Sequence, residues 1–168
     1  VDNKAGAHGF VGVAEATRAA ADGYTLLMAS IGTISINPGL HEKLPYDPNK
    51  DLAPIALVSR TPVVAITNPS ALPGVNNVRE LVAYLKAHPG KVNYGSAGSG
   101  GTSHLVPEYF KFKTGTFMTH IPYRGESAAL TDLLAGQVQL MFTTLINAAP
   151  HIKSGRLKLI AVTSEQRL

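Results

Sequence analysis

The chain has 168 residues, 45% of them hydrophobic, and 15 Lys and Arg against 11 Asp and Glu give it a formal charge of +4. That content supports a packed core and lies far from the composition of a disordered chain, and no apolar run approaches the roughly 18 residues a membrane-spanning helix needs. The lack of cysteine excludes disulfides, thiolate metal sites and a cysteine nucleophile, while basic residues scattered from Lys4 to Arg167 form no patch for nucleic acid.

In chain order, Phe10, Val11, Val13, Ala14 and Thr17 mark one amphipathic helix. Residues 24–29 read as a strand, and a Pro-rich stretch over 37–54 carries little periodicity. One helix and one buried strand leave flanks that a soluble chain must cover, so this part is expected to be a piece of a larger unit. A further strand is predicted over 63–67, just after Pro62.

Regularity begins at Asn77, where Val78, Leu81, Val82 and Leu85 repeat at helical spacing behind an N-cap and the capping-box acid Glu80. The pattern then alternates: strand 91–96, a helix placing Leu105, Val106, Tyr109, Phe110 and Lys113 on one face, and strand 116–123. Helix 126–135, strand 137–142, helix 145–153 and strand 157–163 follow. Pro107 is expected in the first turn of its helix. Short apolar strands alternating with helices predict an α/β fold, a parallel sheet covered on both faces.

In such sheets ligands bind beyond the carboxyl ends of the strands. Three loops there are polar or glycine-rich: 95–104, 122–127 and Thr143-Thr144. Each opens a helix, so free backbone N–H groups and helix dipoles are expected to converge on an anion. The first loop nearly spells a phosphate-binding loop, with Gly95, Gly100 and Thr102 in place, but Gly101 stands where the lysine belongs. The dinucleotide pattern also fails, because Ser103 occupies its last glycine position.

Arg124 is the guanidinium of these loops, suited either to a carboxylate or to simple solvation. Tyr123 either walls a pocket or closes the sheet edge, and His104, one turn into its helix, suits a structural hydrogen bond better than catalysis. The six histidines (His8, His41, His88, His104, His120, His151) show no metal-type spacing, and no nucleophile elbow occurs. The site therefore reads as one that binds an anion without transforming it, with no catalytic residue, metal or cofactor.

Several segments are familiar. Asp22-Gly23-Tyr24-Thr25-Leu26-Leu27, Ile36-Asn37-Pro38, Leu44-Pro45-Tyr46-Asp47-Pro48, Gly95-Ser96-Ala97-Gly98, His120-Ile121-Pro122-Tyr123-Arg124-Gly125 and Leu133-Leu134-Ala135-Gly136 resemble, in order, the extracytoplasmic solute receptors of tripartite tricarboxylate transporters, the Bordetella uptake gene family. The resemblance implies a type II periplasmic binding protein fold, in which two α/β lobes close on a small organic acid. It also implies a periplasmic location, no enzyme activity, and delivery of the ligand to membrane permease subunits.

Family members are considerably longer. On that basis residues 1–50 are expected to be a partial first lobe, and residues 51–168 a nearly complete second, ligand-binding lobe of parallel or mixed sheet that includes a crossover strand. A homo-oligomer formed through the incomplete lobe is a further expectation. Carried over by position, the ligand-binding residues fall on Ser30, Gly32 and Thr33 in the first lobe, and on Ser96, Ala97, Gly98, Ser99, Gly100, Thr102, Ser103, Tyr123, Arg124, Gly125 and Thr143 in the second.

The sequence departs from the family at three of these loops. Ile34 stands where His is common, Arg124 where Lys is, and Thr143-Thr144 where Asp-Asn is. Loss of that acid disfavours a ligand ammonium group and favours a plain or aromatic carboxylate. Two other classes stay open, a cytoplasmic sensor domain of the same fold and an α/β enzyme acting on a phosphorylated substrate.

Overall fold

The computed structural model describes residues 1–4 and 9–165, so His8 and Arg167 lie outside it. It divides into two units, Val1–Val58 and Ser59–Leu168.

In the first unit, α1 (Phe10–Ala16) buries Val13. A π-helical turn (Gly32–Ile36) runs into α2 (Asn37–Leu40), a helical segment that lies across the start of the stretch expected to be irregular. Phe10 sets its edge against His41 and Tyr46, with ring centroids 5.0 and 6.2 Å away. The Tyr46 hydroxyl donates to the Thr33 carbonyl at 2.7 Å and accepts from the buried Asn37 amide at 3.5 Å. The strand predicted over 24–29 does not form: among the described residues the segment pairs with no other strand, and Tyr24, Leu26 and Met28 are exposed. A strand needs a neighbour to satisfy its backbone, and propensity alone does not supply one.

The second unit is one sheet of five strands in the order β3-β2-β4-β1-β5. The strands are β1 (Val63–Thr67), β2 (Asn93–Ser96), β3 (Thr119–Pro122), β4 (Leu140–Thr144) and β5 (Lys158–Val162). The helices are α3 (Val78–Ala87), α4 (Thr102–Thr114), α5 (Glu126–Leu134) and α6 (Leu145–Lys153). Strand β2 runs parallel to β3 and β4, while β1 lies antiparallel between β4 and β5. The sheet is therefore mixed, and the purely parallel reading fails at β1.

Two cores cover its faces. Leu81 and Leu85 of α3 pack with Tyr94, Met118, Leu140 and Phe142 on one side, with Val106 and Phe110 of α4 against them. Ala129 and Leu133 of α5 and Ala148 of α6 pack with Val64, Ile66, Val138 and Met141 on the other.

Local chemistry sets the element ends. The Asn77 side chain accepts from the Glu80 N–H at 3.0 Å, but the Glu80 carboxylate reaches the Asn76 N–H at 2.7 Å instead of that of Asn77, so the capping box is offset by one residue. Helix α4 starts at Thr102, because the Gly101 carbonyl accepts from both His104 and Leu105 N–H. Pro107 thus lies inside the helix beyond its first turn, correcting the sequence expectation, and its ring is buried. Tyr109, expected on the buried face, is exposed with the Lys113 ammonium 5.5 Å from its ring centre.

Candidate functional site

Because β2, β3 and β4 are parallel, the helices that follow them, α4, α5 and α6, all start at one end of the sheet. No side chain caps the first turn of any of the three. An uncapped helix start presents N–H groups and positive dipole toward that end.

Short contacts draw these starts together. The Tyr123 N–H, just beyond β3, donates to the Ser96 carbonyl at the end of β2 at 3.0 Å. Asn147 of α6 donates to the Glu126 carboxylate of α5 at 2.7 Å, which turns that acid onto a partner. Thr143, near the end of β4, is buried, and its hydroxyl has no hydrogen-bond partner among the described residues. A buried, unpaired hydroxyl costs free energy on the order of 1–3 kcal/mol, which a ligand acceptor would relieve.

The glycine-rich loop is more constrained than the sequence suggests. Its N–H groups are not all free, because three of them meet side chains of the same segment. Ala97 N–H donates to Ser103 Oγ at 3.0 Å, Gly98 N–H to Ser96 Oγ at 3.1 Å, and Gly100 N–H to His104 Nδ1 at 3.0 Å. Gly98 and Gly100 have φ of 133° and 87°, which a side chain would strain. Gly95 is no part of the loop: it is buried within β2, where a Cβ would sit 3.3 to 3.4 Å from Val138, Ala129 and Tyr123.

The residues named from sequence thus divide by role. Ser96, Ser103 and His104 shape the loop, and Ala97, Gly98 and Gly100 are held by them. Ser99 is exposed at the loop's tip, Thr102 opens α4, and Gly125, at φ 112°, precedes α5. Arg124 is exposed and forms no ion pair among the described residues. The Tyr123 hydroxyl donates to Asp132 at 2.7 Å; burial and that carboxylate push its pKa up to about 12, so it is a neutral, structural group.

In the first unit, Ser30 and Thr33 bind each other. Ser30 N–H donates to Thr33 Oγ1 at 3.1 Å, and that hydroxyl donates back to the Ser30 carbonyl at 2.9 Å. Gly32 lies between them, at the start of the π-helical turn.

Sequence reasoning missed the aromatic column behind the loop. His120 of β3 stacks on Tyr94 at 4.9 Å and on His104 at 4.1 Å, and its Nε2 hydrogen-bonds Ser96 Oγ. The Tyr94 hydroxyl donates to Glu108 at 2.6 Å, and Lys111 pairs with the same carboxylate at 2.8 Å. Burial, then His104 and Lys111, lower the His120 pKa against the opposing pull of Glu108.

A family model described as the tripartite tricarboxylate transporter family receptor matches residues 1–168. The chain belongs to this receptor family. Protein BugT of Bordetella pertussis is 36% identical over 168 residues, covering 99% of this chain and 51% of its own length. Among solved structures, one of an R. palustris protein with adipate has 32% identity and a TM-score of 0.89, covering 99% of this chain and 55% of the other. MatC of Rhodopseudomonas palustris, with bound malate, has 30% identity and a TM-score of 0.81, covering 96% and 54%. The chain spans about half the length of the curated relatives it matches. These matches bear out the binding-protein fold expected from the resemblance. Among the described residues, no helix is long and apolar enough to cross a membrane.

Proposed function

We propose that the chain is the ligand-binding part of a periplasmic solute receptor, which captures a small organic carboxylate for a tripartite-type transporter without chemical change. The observation that carries this reading is the set of three uncapped helix starts at one end of the sheet, beside the unpartnered Thr143 hydroxyl. Each helix start favours an anion by roughly 0.3 to 1 kcal/mol, so the gain comes from their number. Adipate and malate in the structures of relatives are dicarboxylates, in keeping with it.

On this reading Arg124 is the free cation that meets one carboxylate group, and Ser99, Thr102 and Gly125 line the approach. Thr143 supplies a hydroxyl without the charge of an aspartate, which suits a ligand lacking an ammonium group. A membrane permease is the receiving partner, and within the first unit Ser30, Gly32 and Thr33 are the candidate contact residues. The exposed run 24–29 is open to pairing with a second copy of the chain.

The test is a titration of adipate and malate into the isotopically labelled chain, followed by NMR. Amides of Ser99, Thr102, Gly125 and Ser127 should move with millimolar ligand while those of Leu81 and Leu85 stay fixed. Arg124→Ala should weaken the response several-fold, in line with loss of one charge-assisted hydrogen bond. No movement at these amides with any mono-, di- or tricarboxylate would sink the reading.

A further inference from the structure

The column behind the loop does more than fill space. His104 and His120 sit at opposite ends of one stacked contact, and each holds one side of the glycine-rich loop. His104 Nδ1 accepts the Gly100 N–H, so that ring is neutral with its hydrogen on Nε2. Ser96 Oγ accepts the Gly98 N–H and donates its single hydrogen to the Gly98 carbonyl at 3.0 Å, which leaves His120 Nε2–H as the donor to Oγ. Both pins therefore run through imidazoles.

We propose that His104 and His120 form an acid-sensitive latch on the glycine-rich loop: neutral imidazoles pin it at Gly98 and Gly100, and protonation of the pair releases Gly100 and loosens the anion-binding end of the sheet.

The hydrogen-bond arithmetic decides the direction. A proton on His104 converts Nδ1 from acceptor to donor, so the Gly100 N–H faces another N–H and must move away. A second proton, on His120, places two imidazolium rings face to face at the 4.1 Å stacking distance, where like charges repel. The other groups facing the pair do not offset this. Glu108 of α4 is the one carboxylate among them in the described residues, and its charge is already matched by Lys111 at 2.8 Å and by the Tyr94 hydroxyl at 2.6 Å. Burial already disfavours a charged His120.

The loop's response stands independently of the carboxylate reading; only its consequence for ligand release rests on that reading. The experiment accordingly uses no ligand. The full chain is followed by NMR and amide exchange from about pH 7.5 down to about pH 5, spanning the ordinary imidazole range. Gly98 and Gly100 amides should shift along the histidine titration, and Gly100 protection should fall about tenfold, the weight of one hydrogen bond. Amides of Ile66 and Leu133 should keep theirs, which separates loop release from unfolding.

His104→Asn places a carbonyl oxygen where Nδ1 stood but cannot titrate, so Gly100 should remain protected throughout the range. His104→Ala should leave Gly100 weakly protected even at neutral pH. A Gly100 amide indifferent to the histidine titration in the native chain, or an Asn variant that titrates as the native chain does, overturns the proposal.

Discussion

Two runs of similar character, 24–29 and Val63–Thr67, meet different fates. Both are short and apolar, but Val63–Thr67 is mostly β-branched, whereas 24–29 keeps only Tyr24 and Thr25 as strand formers beside Leu26, Leu27, Met28 and Ala29. Val64 and Ile66 are fully buried at 0% exposure, between two hydrogen-bonded neighbours, whereas Tyr24 is 92% and Met28 76% exposed with no strand beside them among the described residues. The difference lies in what surrounds each run as well as in its residues. A strand is a property of a sheet, and the first unit provides none among its described residues.

The sharpest way to test this contrast is truncation. Leu133→Ala, in a fully buried position of the second unit, should cost about 2–5 kcal/mol in urea unfolding. Leu26→Ala, at 73% exposure, should change stability by less than about 0.5 kcal/mol. Equal effects would mean that residues 24–29 are buried in solution, as pairing with a second copy would make them.

A smaller effect probes what order the first unit does have. Tyr46→Phe leaves the Thr33 carbonyl and the Asn37 amide without the hydroxyl they share, and should destabilise that unit by roughly 1–2 kcal/mol. Loss of the ring-current shifts expected at Phe10 or His41 from their edge contact, in NMR spectra of the variant, would show the local core giving way.

The smallest effect concerns acid. His120 is held neutral in the folded second unit by burial first and by His104 next, so its folded pKa lies below the unfolded value of about 6.5. A depressed histidine pKa means that the unfolded chain binds the proton first, so stability falls as pH drops from about 6.5 toward the folded value. His120→Gln should flatten this part of the stability profile, and a profile unchanged by the substitution would assign the acid sensitivity to other groups.

Much of the second unit was legible because its punctuation is local. Asn77 caps α3, and Gly115, Gly136 and Gly155, all at positive φ, lie just past the ends of α4, α5 and α6. The direction of β1 was not legible, since it is fixed by partners at Thr144 and Val162, far away in sequence. Pro107 misled because proline statistics favour the first turn, while the Gly101 carbonyl set an earlier start. The site divided the same way. Its loops follow from strand order, but the histidine column joins α4 to β3 through ring stacking, a contact no spacing rule announces.

The antiparallel placement of β1 has a consequence during synthesis. It is the first strand of its sheet to emerge, yet both of its neighbours, β4 and β5, are the last. The nascent chain must therefore carry an apolar segment with two unfilled edges until nearly the whole unit has left the ribosome. Closure of this sheet is a late, long-range event, and a chaperone that holds extended apolar segments would find its substrate at residues 63–67 before any other strand of the unit.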